Sequence, residues 1–533
     1  MWKAPWRRAR DFQLGDMFTH EAIRNPELLL RLTRPMALSP SLGTRVRLRD
    51  IARLVEEATQ WLRSGGVRPG DRVAIVKTQS LDVSILQQAV AGIGATAAML
   101  WPYTDPKTLR ALLTRLDRPF LVTDGLVRDT SLAGVELPEL TRAVFTVLGD
   151  RQVDVEQHSP AAPDRPLQLP PGVVLIAHSS GTTGVPKLMA FDNPGIGAHT
   201  ELQVQVANLL RMRGPVAFCL SYFHARMPSA LGTALRRNAE ILLLDDPDPL
   251  AAAELMGQVR PNVVETFPNV FVEWERLADH PGTPFAAVQY FINTFDAIHP
   301  RTVERLLNAS QRHHPRYLQA YGTTETGPLS IRVHTRRGIG TADARCVGYP
   351  IPGFSRNRLA ARPGTEDADN RRGEIIVRVR GAALTYLDEP VRRAPGSARN
   401  WWSTGDLGQR GRWGCLHLLD RIVDETPELG SNLAYEDLLM QRLPNLNEVL
   451  FLPSPSGGPP LPVVCTVGDQ PLDAAAWAEA VAGLPPFADP LHVRWNSVPR
   501  GSTWKVRRLE LRRRLAAGEV ERLAFNAPGT GGR

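Results

Sequence analysis

His178-Ser179-Ser180-Gly181-Thr182-Thr183-Gly184-Val185-Pro186-Lys187 follows directly on an apolar run, Val173-Val174-Leu175-Ile176. Glycines let a backbone approach a ligand and turn its N–H groups inward. Serine and threonine add hydroxyl donors, and lysine adds a mobile positive charge. A strand that ends in such a loop is suited to hold a polyphosphate. No Gly-Lys-Ser/Thr closes it, so it is not a Walker A loop. A plain connector of this composition would be a flexible turn, but this one is denser in phosphate donors than a linker needs.

Outward from this loop, apolar runs alternate with helical patterns. Arg72 to Val76 reads as a strand, with a helix through Val83 to Leu86, a strand at Ala97 to Leu100, an amphipathic run from Thr108 to Leu116 and a strand at Phe120 to Val122. Strand, helix, strand at this spacing predicts βαβ units and a buried parallel sheet. The rhythm recurs at Val216 to Leu220, Ile241 to Leu244, Val263-Val264 and Val288 to Ile292. Ala89 to Trp101 reads as a buried helix–turn–strand. After Val333 the alternating segment Gly373 to Val379 lies among Pro/Gly/Arg-rich loops, which predicts antiparallel sheet. Beyond Asp420 a compact α+β pattern follows: helix Tyr435 to Gln441, strands Glu448 to Leu452 and Val463 to Val467, helix Ala474 to Ala482. The expected organisation is α/β: a large domain of mixed sheets with helices over residues 1–420, a small α+β domain over 421–525 joined by a hinge, and a disordered Gly-rich tail over 526–533.

Composition bounds the function. The chain has 533 residues, 43% hydrophobic and 22% charged, ordinary for a globular protein and long enough for two domains. No apolar stretch is long enough to span a bilayer, and no apolar h-region follows the basic N-terminus; a cytoplasmic enzyme is expected. Cys219, Cys346, Cys415 and Cys465 are far apart and lack C-x-x-C spacing, which argues for buried free thiols and against zinc or a disulfide framework. The net charge is +8 and the pI about 9.6. The densest basic patch comprises Arg500, Lys505, Arg507, Arg508, Arg512, Arg513 and Arg514, without any nucleic-acid motif. Anionic small molecules such as nucleotides or coenzyme A explain it better than DNA.

The loop from Ser179 through Ser180, Gly181, Thr182, Thr183 and Gly184 to Lys187 resembles the phosphate-binding motif of the adenylate-forming superfamily, which comprises acyl-CoA synthetases, peptide-synthetase adenylation domains and luciferases. Further motifs follow in that superfamily's order between about residues 45 and 515. Gln319-Ala320-Tyr321-Gly322-Thr323-Thr324-Glu325-Thr326-Gly327 is similar to its Y-G-x-T-E motif. There the resemblance implies a tyrosine beside adenine, Thr324 at the α-phosphate and Glu325 at Mg²⁺. A carboxylate suits that hard cation, which neutralises polyphosphate charge. Trp402-Ser403-Thr404-Gly405-Asp406-Leu407 resembles the segment whose aspartate receives the ribose hydroxyls; a carboxylate accepts two hydrogen bonds, as a vicinal diol requires. Arg421 matches the arginine that opens the small domain and reaches the ribose. Leu220-Ser221-Tyr222-Phe223-His224 resembles the segment that gates the acyl pocket, and Arg226 beside it reads as a surface salt bridge. Pro499-Arg500-Gly501-Ser502-Thr503-Trp504-Lys505 is similar to the C-terminal motif whose lysine meets the reacting atoms. A single ammonium between a carboxylate and the α-phosphate stabilises the charge that develops there.

Four positions depart from the family's pattern: Leu188 after Lys187, Asn293 to Ala297 in place of a Gly-Gly-Ala turn, Trp504 before Lys505, and Val423 in the hinge. The implied activity is ATP- and Mg²⁺-dependent adenylation of a carboxylic acid with transfer to coenzyme A, the acid being aryl or of medium size among His224, Phe223, Phe267, Asn293, Phe295 and Tyr321. The alternative is an adenylating enzyme whose intermediate goes elsewhere: to a carrier protein, to an amine, or by nitrite activation as in an ATP-dependent diazotase. A second alternative is a non-catalytic nucleotide- or acid-binding relative.

Overall fold

The computed structural model describes residues 9–159, 167–179, 185–295, 298–341, 343, 345–361, 371–387, 401–411, 413–422, 429–454, 458–501, 505–523 and 525–526. Ser180, Gly181, Thr182, Thr183, Gly184, Asp296, Ala297, Val423, Ser502, Thr503 and Trp504 therefore lie outside the described residues.

Two sheets carry most of the chain. In the first, of eight strands, Val173–His178, Thr96–Met99, Arg72–Ile75, Phe120–Asp124 and Ala143–Gly149 lie side by side and parallel. In the second, of thirteen, Ile241–Leu243, Val216–Cys219, Val263–Thr266, Tyr290–Asn293 and Arg316–Thr323 do the same. The apolar runs mark all of these strands except Ala143–Gly149 and Arg316–Thr323. Parallel strands need covered faces, and one hydrophobic cluster joins residues of both sheets. The helix Leu81–Ile93 lies within it with all but Ala91 and Gly92 buried. Gly94 ends the helix in the left-handed region and Thr96–Met99 follows, as the sequence predicts for Ala89 to Trp101.

The thirteen-stranded sheet continues, antiparallel, through Gly327–Thr335, Cys346–Pro350, Leu416–Arg421, Trp402–Arg410, Arg372–Val379 and Ser355–Ala360. The antiparallel region is thus an extension of the parallel sheet. The expected boundary at Asp420-Arg421 falls at the last two residues of one of its strands.

Residues from Leu429 onward form hydrophobic clusters of their own, around Leu439, Phe451 and Trp477 and around Leu450, Val463 and Trp495. A three-stranded sheet of Leu446–Leu452, Leu461–Thr466 and Leu491–His492 separates helices Asn432–Arg442, Ala474–Val481 and Arg508–Ala516. Polar bridges join it to the rest: Arg301 donates to the carbonyls of Pro444 and Leu446, and the Trp495 indole donates to Glu273 at 2.9 Å. Phe525–Asn526 pairs in parallel with Leu472–Asp473. Ladder bonds thus hold Asn526, which the sequence assigns to the tail, while 527–533 lie outside the described residues.

Candidate active site

The hairpin Val173–His178/Leu188–Asp192 brings the two ends of the phosphate-loop sequence together. The Ser179 amide donates to the Lys187 carbonyl and the Lys187 amide donates to Ser179 Oγ, both at 2.9 Å. His178 anchors this point. Its Nε2 accepts from the Trp101 amide at 3.0 Å and its Nδ1 lies 2.8 Å from the Ser179 carbonyl, so the ring proton sits on Nδ1. Burial lowers its pKa and keeps it neutral. Leu188, one of the departures from the resembled motif, is fully buried in the core beneath the first sheet, which accounts for an apolar side chain there.

Tyr386, which sequence reasoning did not single out, ties this hairpin to the Y-G-T-T-E segment. The Lys187 ammonium lies 5.2 Å from the centre of its ring, and its hydroxyl donates to Glu325 Oε1 at 2.8 Å. Tyr386 sits there because Thr385–Tyr386 adds to the edge of Leu188–Asp192. Tyr386→Phe removes a hydrogen bond to a charged group, an interaction of about 1.5–3 kcal/mol. For the Mg²⁺-bound polyphosphate that the resemblance assigns to Glu325, the expected result is an apparent KM raised about tenfold or more, read from initial rates.

The motif's glycines have steric causes. A Cβ on Gly322 would stand 2.0 Å from the Gly327 carbonyl oxygen across the hairpin. Gly327 has φ +65, and its Cβ would meet the His199 ring at 2.3 Å. His199 is fixed in turn by the Gly381 carbonyl at 2.8 Å and by the edge of Phe354. Gly327→Ala combines backbone strain with overlap on a buried ring. It is expected to destabilise the protein by at least about 1–3 kcal/mol, seen as a lowered thermal midpoint.

Asp406 and Arg421 face each other on the hairpin Trp402–Arg410/Leu416–Arg421, with Arg421 Nε 3.4 Å from Asp406 Oδ1. The Tyr321 hydroxyl donates to the other oxygen at 2.6 Å. Burial and the adjacent carboxylate raise the tyrosine's pKa well above its usual value, so it stays a donor.

A cavity of about 450 Å³ opens beside these groups. Ala320, Gly322, Thr323, Thr324, Arg421 and Lys505 border one end; exposed Arg213, Gly214 and Asn238 border the other. Between them lie apolar walls from Leu202, Val206, Ala230, Ala234 and Leu318, with His224 and Phe295 in edge-to-face contact at 5.1 Å. His224 Nδ1 accepts from the Arg226 amide at 3.0 Å, which leaves the proton of the neutral ring on Nε2. Burial, then the neighbouring His178, Arg226 and Lys505, push its pKa down to about 3.

Three expected pocket residues stand behind the wall and do not line the cavity. Strand side chains alternate between faces, so Ile292 and Thr294 line it while Asn293 turns into the protein and accepts from the Phe295 amide at 3.0 Å. Phe223 packs edge-on against Trp101, and Phe267 packs on Phe295 at 4.4 Å. The same alternation sends Leu318, Ala320 and Gly322 to this cavity and Tyr321 to a neighbouring one of about 220 Å³, which it shares with Asp406, Asp420, Arg508 and Lys505. Lys505 therefore lies where the two cavities meet.

Arg226 is not a surface salt bridge. Its guanidinium pairs with both oxygens of Glu265 at 2.7 and 2.6 Å, the side chains being 12% and 2% exposed. The C-terminal basic patch is largely engaged within the protein. Arg500 stacks over Trp495 at 3.8 Å, Arg508 pairs with Glu436 at 2.9 Å, and Arg513 and Arg514 pair with Glu510 at 2.9 and 2.8 Å.

The family model for AMP-binding enzymes matches residues 36–387. Over 532 residues, 95% of this chain and 96% of the relative, the sequence is 40% identical to 3-amino-2-hydroxy-4-methoxybenzoate diazotase of Streptomyces cremeus. It is 25% identical to 3-aminoavenalumate diazotase of a Streptomyces species, over 89% of each chain. The fold is similar to that of the anthranilate CoA ligase AuaEII in complex with anthranoyl-AMP, with a TM-score of 0.74, 16% identity, and 96% and 99% of the two chains covered.

Proposed function

From the premise that this chain belongs to the AMP-binding enzyme family and is an ATP-dependent adenylate-forming ligase, we propose that it is a diazotase for an aromatic amine that carries a carboxylate. The observation that carries this reading is the 40% identity, along nearly the whole chain, to a diazotase of an aminobenzoate. It takes up the nitrite alternative in place of the coenzyme A ligase expected from the motifs. The engagement of Arg500, Arg508, Arg513 and Arg514 by partners within the protein removes one argument for coenzyme A.

The chemistry runs in two displacements. A nitrite oxygen attacks the α-phosphorus of ATP, the bond to the bridging oxygen of pyrophosphate breaks, and a nitrosyl ester of AMP forms. The amine lone pair then attacks the nitrosyl nitrogen, and the N–O bond breaks with AMP as leaving group. The amine proton passes to the departing phosphate. The resulting N-nitrosamine tautomerises to the diazohydroxide, which takes that proton back from the phosphate and loses water to give the diazonium. The sum is amine, nitrite and ATP to diazonium, AMP, pyrophosphate and one water.

Positioning and charge neutralisation do most of such phosphoryl transfer. Lys505, at the meeting of the two cavities, serves to draw nitrite and α-phosphate together. Thr324 reaches the α-phosphate, and Ser179 and Lys187 hold the outer phosphates. Asp406, oriented by Tyr321 and Arg421, takes the ribose hydroxyls. Glu325 is a half-buried carboxylate steadied by Tyr386, a hard oxygen donor of the kind Mg²⁺ takes; the cation neutralises polyphosphate charge when bound. His224 presents a neutral N–H donor to the nitrosyl or the arene, and the apolar walls beyond it exclude water from an intermediate that hydrolyses. We place the start of the C-terminal unit at Arg421, with that unit delivering Lys505.

The test supplies ATP, Mg²⁺ and aminobenzoates with nitrite, with coenzyme A, or with both. Pyrophosphate and AMP that require nitrite, with a diazonium trapped by azo coupling to a naphthol, are the expected products. An acyl-CoA formed at equal rate without nitrite would restore the ligase reading.

A further inference from the structure

Cys346 and Cys415 are separated by 69 positions in sequence, and on spacing alone they read as isolated thiols. The fold brings them together. Cys346 is the register partner of His417 in the antiparallel pair Cys346–Pro350/Leu416–Arg421. Cys415 lies two positions before His417, immediately ahead of that strand. Cys415 Sγ is 3.1 Å from His417 Nε2, and the three possible ligand atoms of Cys346, Cys415 and His417 all lie within 4.8 Å of one another. Cys346 is buried; Cys415 and His417 are half-buried.

We propose that Cys346, Cys415 and His417 form a zinc-class divalent metal site on the hairpin that carries Asp406 and Arg421. Around a tetrahedral Zn²⁺ with Zn–S of about 2.3 Å and Zn–N of about 2.0 Å, ligand atoms stand roughly 3.5–3.8 Å apart. The observed 3.1 Å and the 4.8 Å upper bound bracket that geometry. Two independent features favour an ion. First, His417 Nδ1 lies 3.1 Å from Asp343 Oδ2, so its other nitrogen is turned toward the thiols. A carboxylate behind the ligating imidazole is the arrangement that fixes tautomer and ring orientation at zinc centres. Second, residue 411 is glycine, and a Cβ there would stand 2.6 Å from His417 Nε2 and 2.7 Å from Cys415 Sγ. The missing side chain leaves free the space that both ligand atoms face. Two thiolates balance the charge of the dication, leaving one coordination position for water. Ligand softness selects zinc over Mg²⁺ or Ca²⁺.

The site would clamp the turn from Gly411 to Cys415 onto the strand that ends in Asp420 and Arg421. It is remote in chemistry from the nucleotide and does not depend on the diazotase reading.

The experiment uses full-length protein, reduced, stripped with chelator and titrated with Co²⁺ in the absence of oxygen. One equivalent should give the intense visible bands of tetrahedral cobalt and a thiolate charge-transfer band, both displaced by Zn²⁺. Cys346→Ser, His417→Ala and Gly411→Ala should lose the charge-transfer band, and Cys219→Ser should keep it. Because a variant may fail to fold, wild type supplies a second reading: one equivalent of Zn²⁺ should slow the reaction of two thiols with Ellman's reagent at least tenfold and raise the thermal midpoint. A weak octahedral cobalt spectrum, thiol reactivity indifferent to Zn²⁺, or an intact mass lighter by two hydrogens from a Cys346–Cys415 disulfide would each overturn the proposal.

Discussion

Lys505→Ala is expected to slow pyrophosphate release by roughly 100- to 1,000-fold while the circular dichroism spectrum stays that of the wild type. The magnitude is that for removing one preorganised donor aimed at developing charge. Lys505 borders both the cavity with Thr323, Thr324 and His224 and the one with Asp406 and Tyr321. It stands close enough to His224 to help suppress that ring's basicity. Its half-buried position keeps the structural penalty small, so the kinetic loss stands clear of it. Lys505→Arg should restore little, because a planar fork does not replace a compact ammonium between two anions. Wild-type rates in the alanine variant would remove Lys505 from the reaction.

Glu265→Ala should destabilise the protein by about 3–5 kcal/mol, the usual consequence of leaving one member of a buried ion pair uncompensated. Glu265 belongs to a central strand and accepts from Nε and Nη2 of Arg226, with the Thr294 hydroxyl donating at 3.2 Å. Arg226 also donates to Gln203 and Ser229, so the pair organises the middle of the cavity. The double variant Glu265→Ala/Arg226→Ala should recover much of the loss, since neither charge is then stranded. Chemical denaturation of the three variants checks both statements. A single-variant loss below about 1 kcal/mol would mean that the pair is solvated.

Much of the fold was legible because its determinants are local. Apolar runs of four or five residues bounded by turns mark most of the parallel strands, and the motifs around Ser179 and Tyr321 stand at strand ends. What stayed hidden depends on which way a side chain points and what faces it across the sheet. Phe223 and Asn293 sit one position from cavity-lining residues and point away. Tyr386 acquires its part in the site only through edge pairing with Leu188–Asp192, nearly 200 positions earlier. The Arg226–Glu265 pair and the Cys346–Cys415–His417 cluster are long-range meetings that no spacing rule encodes. His199 reads as an ordinary helical residue until the two glycines it packs on, Gly327 and Gly381, are seen beside it.

The cavity's distant border at Arg213, Gly214 and Asn238 bears on kinetic order. Under the proposed function, an aromatic substrate entering at these exposed residues need not pass a nucleotide held on the Thr324 and Lys505 side, so neither co-substrate has to wait for the other. Steady-state analysis should give random addition of ATP and amine, with dead-end inhibition by an unreactive arene competitive against the amine alone.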